Sequence, residues 1–285
     1  MMTRREFGFV CTVLHASHSL ADEPRRRVTV QVLQLLKPTQ VTVRPAGNGP
    51  IEVSLKQVRR TLWPGHSATL VATDAPFSAQ ALIGSEDAFL RLTLPGGFTR
   101  DYLGRLSGEM GPGDELILII DMSVETAVRS IVGAELPTHG VALAALAAQA
   151  VVARSFLIAG GRRHDRSDFC DTTHCQFLRS PAAPRSGVAI AAQQTCGLVL
   201  TASGKPFPPL YSAACGGETE QRQEAGYLYQ RVACEVCAAS HRTRSGHGLG
   251  LCQNAALTLA LRGWPWQRIL RKYYPGTGVH EGYGS

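Results

Sequence analysis

The chain has 285 residues, 44% of them hydrophobic and 18% charged, with a net charge of +7 and a pI near 9.1. A chain of this length buries a sizeable core, and its balance of apolar and charged residues excludes an intrinsically disordered protein. The positive charge suits an acidic polymer: nucleic acid, anionic membrane or cell-wall glycan. No nucleic-acid module and no stripe of alternating basic and aromatic residues accompanies it, so nucleic acid is not an expected partner.

The first segment, residues 1–27, carries Thr3-Arg4-Arg5-Glu6-Phe7 and a short apolar run to Leu14. It reads either as a twin-arginine-type export signal, which would place the protein in the periplasm or cell envelope, or as a disordered N-terminus. No later stretch has the length and hydrophobicity of a transmembrane span. Eight cysteines are present, with Cys11 inside this first segment. The remaining seven form an odd set, so some are expected to be metal ligands or free thiols rather than members of a complete disulfide framework.

Residues 28–120 read as β-rich. Val28-Thr29-Val30-Gln31-Val32-Leu33 and Val41-Thr42-Val43-Arg44 alternate with period two, and further strands are expected at 68–72, 89–94 and 115–120. Residues 121–285 read as the part that carries the chemistry. A helix is expected over 123–134 with Ser123 as its N-cap, and a second over 139–160, closed by Gly160-Gly161. The second is Ala-rich and apolar nearly all round, which places it in the middle of the fold. A short helix near 187–195 follows, then a strand pair within 197–211 that turns at Ser203-Gly204. Two last helices are expected at 253–262 and 266–273. The whole reads as an α+β fold, organised as one continuous unit over 28–280.

Glu135 stands in Gly133-Ala134-Glu135-Leu136-Pro137, just before the Ala-rich helix. A carboxylate sheltered there suits a general acid/base. The plainer alternative is a helix-flanking acid stabilised by the first-turn dipole. His164, Cys170 and Cys175 share one polar loop, six and five residues apart, and imidazole with thiolates suits Zn2+. His174 is a rival third ligand, and a Cys170–Cys175 disulfide is the alternative to a metal. Cys215, Cys234 and Cys237, with His241 beside them, suggest a second site that the spacing leaves undecided. Cys252 follows His247 closely, so a thiol nucleophile is a further, weaker reading. Arg154 on the Ala-rich helix needs a partner, either Glu135 or a sugar substituent. Tyr211 and Ser212 either bind sugar or pack within a strand. His247, between glycines in Gly246-His247-Gly248-Leu249-Gly250, is a candidate ligand contact, and Gln253 closes the same motif.

Four segments occur in order: Gly133 to Pro137 with the Ala-rich run to Arg154; Phe169-Cys170-Asp171-Thr172-Thr173-His174-Cys175-Gln176; Leu210-Tyr211-Ser212-Ala213-Ala214-Cys215-Gly216-Gly217-Glu218-Thr219; and Gly246 to Gln253 followed by Tyr273-Tyr274-Pro275-Gly276-Thr277. Together they resemble the SpoIID/LytB family, the stage II sporulation protein D type of peptidoglycan lytic transglycosylase. The resemblance implies cleavage of glycan strands between N-acetylmuramic acid and N-acetylglucosamine, leaving a 1,6-anhydro end, with Glu135 as the acid of a Glu-Leu-Pro variant of the family's Glu-Met-Pro motif. It also implies a mainly structural zinc held by a His and two Cys in the loop of His164, Cys170 and Cys175. The expected substrate contacts are Arg154, Tyr211, Ser212, His247 and Gln253. Two rival readings remain. One is a hydrolytic muramidase with a second acid, for which Asp171 and Glu218 are the candidates. The other is a non-catalytic glycan binder that stimulates a cell-wall amidase.

Overall fold

The computed structural model describes residues 27–82, 89–137 and 139–282. The candidate export signal and Cys11 lie outside them. The fold is α+β, as its sequence implies. Ten strands come first: β1 (Arg27–Val32), β2 (Gln40–Pro45), β3 (Ile51–Leu55), β4 (Val58–Leu62), β5 (Ala68–Val71), β6 (Phe77–Ala81), β7 (Leu90–Thr93), β8 (Thr99–Tyr102), β9 (Arg105–Met110) and β10 (Leu116–Ser123). Then come α1 (Val124–Glu135), α2 (Leu143–Ala159), β11 (Phe169–Cys170), α3 (Gly187–Gln194), β12 (Leu198–Ala202), β13 (Lys205–Pro206) and β14 (Tyr211–Ser212). The chain finishes with β15 (Arg222–Glu224), β16 (Tyr227–Tyr229), α4 (Glu235–Ala239), β17 (Leu251–Cys252), α5 (Gln253–Leu261), α6 (Trp266–Tyr273) and β18 (Thr277–Glu281).

A seven-stranded sheet runs in the order β11-β1-β10-β9-β6-β3-β4, beside a four-stranded sheet, β5-β2-β7-β8. Val28, Val30 and Val32 alternate into the core from β1, and Leu116, Leu118 and Ile120 from β10, as period-two patterning requires. Within the large sheet β1 pairs antiparallel with β10 and parallel with β11. The strand that carries Cys170 is therefore an extension of the sheet built by the N-terminal half.

The first helix opens where Ser123 Oγ accepts the Thr126 N–H at 3.1 Å. That N-cap satisfies a backbone donor with no partner inside the helix. Val124, Ala127, Val128, Ile131 and Val132 form its buried stripe. The second helix has no polar face, and its packing explains why. Leu146, Ala147, Ala150, Ala153 and Leu157 belong to the core shared with the sheets. Ala145, Ala148, Val151 and Val152 belong to a second core, with α5, α6 and the tyrosines of the C-terminal part. A helix between two cores is buried on all sides, and its alanines let α1, α3, α5 and α6 approach. This helix starts at Leu143, four residues later than the sequence suggests, and Gly160 caps it through an N–H bond to Phe156 O at 2.8 Å.

Candidate active site and metal centre

Glu135 is the last residue of α1, not a flank to the start of α2. The first-turn dipole therefore does nothing for it; the C-terminal end of a helix is an unfavourable place for a carboxylate. What holds it is local. Its Oε1 accepts the backbone N–H of Phe177 at 3.0 Å, and the Tyr211 phenol is directed at the same carboxylate. Burial and the Glu135 charge together push the Tyr211 pKa well above the usual phenol value, so Tyr211 keeps its proton and faces the carboxylate as a donor. Glu135 itself is partly exposed and so can meet a ligand.

The donor Phe177 follows directly on the histidine–cysteine loop. Three anchors set this loop on the sheet. Asp168 Oδ2 accepts the Thr29 N–H and hydroxyl, each at 2.8 Å. Cys170 lies in β11, in register with Gln31 of β1. Asp171 Oδ2 accepts the Leu33 N–H at 2.9 Å and an Arg100 N–H at 3.2 Å. A turn closed by the Cys175 N–H on Thr172 O at 3.1 Å then brings Cys175 back beside Cys170.

The donor atoms of His164, Cys170, His174 and Cys175 all lie within 4.8 Å of one another. His164 Nε2 is 3.3 Å from Cys175 Sγ, and His174 Nδ1 is 3.6 Å from Cys175 Sγ and 3.9 Å from Cys170 Sγ. Metal–sulfur and metal–nitrogen bonds of about 2.3 and 2.0 Å give tetrahedral edges of roughly 3.5 Å, so this set can hold a metal ion. The His164 pKa is lowered by desolvation and by the neighbouring His174 and Arg163, which favours the neutral imidazole a ligand must be. Burial, with the Cys170 sulfur adding, pushes the Cys175 thiol up to about 11; a bound cation would reverse that by drawing the proton off. Cys170 and Cys175 are free thiols rather than a disulfide. The sequence suggests three ligands, with His174 a rival for the third. The structure places His174 beside them as a fourth candidate, and four protein ligands would make a closed, structural site.

The remaining expected contacts divide. Arg154 is fully buried, and its guanidinium meets Glu125 through two bonds of 2.7 Å, with further bonds to Ala192 O and Leu198 O. It neither pairs with Glu135 nor faces a ligand; it braces α2 against α1, α3 and β12. Ser212 is buried, and its Oγ accepts the Gly248 N–H at 2.8 Å, so it fixes the glycine loop instead of touching sugar. Gln253 is also buried and donates to Gln149 Oε1 at 3.4 Å. His247, by contrast, keeps part of its surface open. Its Nδ1 accepts the Leu249 N–H at 3.0 Å, which leaves the proton of the neutral ring on Nε2. Desolvation of the ring, with Arg222 adding, lowers its pKa.

Ser212, next to Tyr211 in β14, has its Oγ 3.3 Å from His247 Nδ1, and β14 pairs in parallel with β17. The buried Tyr274 hydroxyl locks that pair, donating to Leu210 O at 2.7 Å and accepting the Leu251 N–H at 3.2 Å. Neither rival carboxylate serves Glu135. Asp171 is committed to Leu33 and Arg100, and Glu218 pairs with Arg231 at 3.1 Å.

The family model SpoIID, described as a stage II sporulation protein, matches residues 113–201. Those residues run from the turn before β10 to β12 and contain Glu135 and all four residues of the histidine–cysteine group. Over this segment the chain is similar to the SpoIID family. The SpoIID match stops before Tyr211, His247 and Cys215. No curated protein matches the chain. Two partners in the site escape the sequence reading. Phe177 acts through its backbone N–H, which no side-chain pattern reveals. Glu125, an acid in the first turn of α1, is visible in the sequence but not distinguishable there from an ordinary dipole-favoured residue.

Proposed function

We propose that this SpoIID-like protein serves a sporulation-related role in the cell wall, as a lytic transglycosylase that cleaves peptidoglycan glycan with Glu135 as its general acid/base. Residues 28–280 act as one unit in this reading, since β11 completes the sheet begun by β1. The observation that carries it is the setting of Glu135: one partly exposed carboxylate, held by the Phe177 N–H with the Tyr211 phenol nearby. The protonated Glu135 gives its proton to the glycosidic oxygen as the bond to the anomeric carbon breaks. The muramic sugar's own primary hydroxyl then attacks that carbon, and the Glu135 carboxylate takes the hydroxyl proton, which resets the acid. General acid/base help of this type contributes about 10²–10⁴-fold.

A hydrolytic muramidase needs a second carboxyl to act on water or on the sugar, and the engagement of Asp171 and Glu218 elsewhere favours the single-carboxylate route. An amidase-stimulating binder would need no oriented acid at Glu135. The exposed His247 ring is the proposed donor to the sugar, through its Nε2–H. Zn2+ is the ion proposed for His164, Cys170, His174 and Cys175. It would keep the loop shaped so that Phe177 meets Glu135. Export to the cell envelope follows from a substrate that lies there.

The test is digestion of glycan strands stripped of stem peptides. Wild type is expected to release soluble sugar products, and Glu135→Gln, which keeps the Phe177 bond but cannot cycle a proton, is expected to lose at least 100-fold of the rate, about the lower end of acid/base help. A Glu135→Gln chain that digests at the wild-type rate removes Glu135 from the chemistry.

A further inference from the structure

We infer that the chain holds a second metal ion, at a tetrathiolate site formed by Cys215, Cys234, Cys237 and Cys252. These four sulfurs lie within 4.8 Å of one another, and each cysteine is at most 1% exposed. Cys237 Sγ is 3.5 Å from Cys252 Sγ. A tetrahedral ion with metal–sulfur bonds of about 2.3 Å needs edges of roughly 3.8 Å, so the sulfurs are already spaced for a single ion. They are too close together to surround a polynuclear iron–sulfur cluster.

The four arrive from three separate segments. Cys215 comes three residues after β14, Cys234 and Cys237 from the start of α4 in a Cys-x-x-Cys spacing, and Cys252 from the end of β17. The sequence sets Cys215 and His241 beside Cys234 and Cys237 and leaves that grouping undecided; the structure brings Cys252, not His241, to the other three. Two polar groups able to donate to a thiolate lie against the sulfurs. The Tyr273 hydroxyl is 3.4 Å from Cys234 Sγ, and Asn254 Nδ2 is 3.6 Å from Cys237 Sγ. Donors of this kind stabilise thiolates bound to a metal and orient them. Four soft thiolates in a closed shell select zinc or a single iron over hard cations. A buried thiol nucleophile at Cys252 has no such use for three more cysteines, and no surface from which to act.

The placement gives the ion a task. Cys215 and Cys252 flank the β14–β17 pair, so the ion would staple the two strands that carry Tyr211 and lead into Gln253, while α4 closes the shell. A tetrathiolate ion here positions Tyr211 opposite Glu135 and is not part of the chemistry.

Elemental analysis of the purified full chain tests this. Wild type is expected to hold two ions per chain and Cys252→Ser one, with Cys252→His, which restores a ligand, returning toward two. Cys175→Ser is expected to remove the other ion independently, so loss of the histidine–cysteine site and loss of this one read out separately. If Cys252→Ser does not fold, cobalt substitution of the wild type decides: six thiolate ligands per two ions are expected from the sulfur-to-cobalt charge-transfer intensity. Iron in place of zinc at the same ratio supports the site. A wild-type chain whose metal is all lost in Cys175→Ser, or a peptide map showing a Cys237–Cys252 disulfide, overturns it.

Discussion

Arg154 and Glu125 form a buried charge contact on which the middle of the fold leans. Arg154 has no exposed surface, while the Glu125 side chain is 31% exposed. Removing the carboxylate strands a buried guanidinium, and breaking such a pair costs on the order of 3 kcal/mol. Glu125→Gln is therefore expected to lower unfolding stability by about that much in a urea titration, and a loss below about 0.5 kcal/mol would contradict the assignment. His247 makes a second residue-scale prediction. Its pKa is lowered, so the ring is neutral at pH 7. Acidification must place a proton on Nδ1 and break the Leu249 contact. The stability this contact contributes is present above the ordinary histidine value and is lost as pH falls through the lowered one. An NMR titration should give a midpoint below 6.5 with the Nε2–H form at neutral pH; a raised midpoint would refute the hydrogen-bond pattern. At this scale the sequence is a partial guide. Glu135, His164, Cys170 and Cys175 are recognisable as chemistry-bearing residue types at useful spacing. The expectation for Arg154 fails because the identity of a buried charge does not say which acid it meets.

Among the elements, those with a strong period are legible. The stripe of α1 with its Ser123 cap and α6 at Trp266–Tyr273 stand where their patterns put them, and α2 does so apart from its later start. Other strands carry less signal. β4 reads Val58-Arg59-Arg60-Thr61-Leu62 and is the exposed edge of the large sheet, where charged side chains discourage edge pairing and erase the alternation. β14 and β17 are two residues each, too short for any period. What makes their pairing possible is Gly250. Its φ is +64°, and a Cβ there would lie 2.0 Å from Leu210 O. Gly250→Ala must push the two strands apart or strain the backbone, costing more than about 2 kcal/mol. The expected result is a lower melting temperature together with impaired glycan digestion. Wild-type behaviour in both would show that the close approach is not required.

Across the whole molecule, two cores meet on α2, and the carboxylate sits where segments from both sides converge. Phe177 reaches it from the loop built on the large sheet, and Tyr211 from the C-terminal part. The order of the four sequence segments already implies that they meet. Which atoms meet is not in the order: the fourth candidate ligand His174 and the Phe177 N–H depend on a turn whose closure only the folded chain defines. A net charge of +7 suits an anionic wall polymer and would favour encounter at low salt, but it does not separate cleavage by ring closure from cleavage by water. Digestion of denuded glycan in heavy-oxygen water, read by mass spectrometry, does. A single carboxylate working with the sugar's own hydroxyl predicts products with anhydro ends and no heavy oxygen at the cleaved anomeric carbon; heavy oxygen incorporated there would contradict the account.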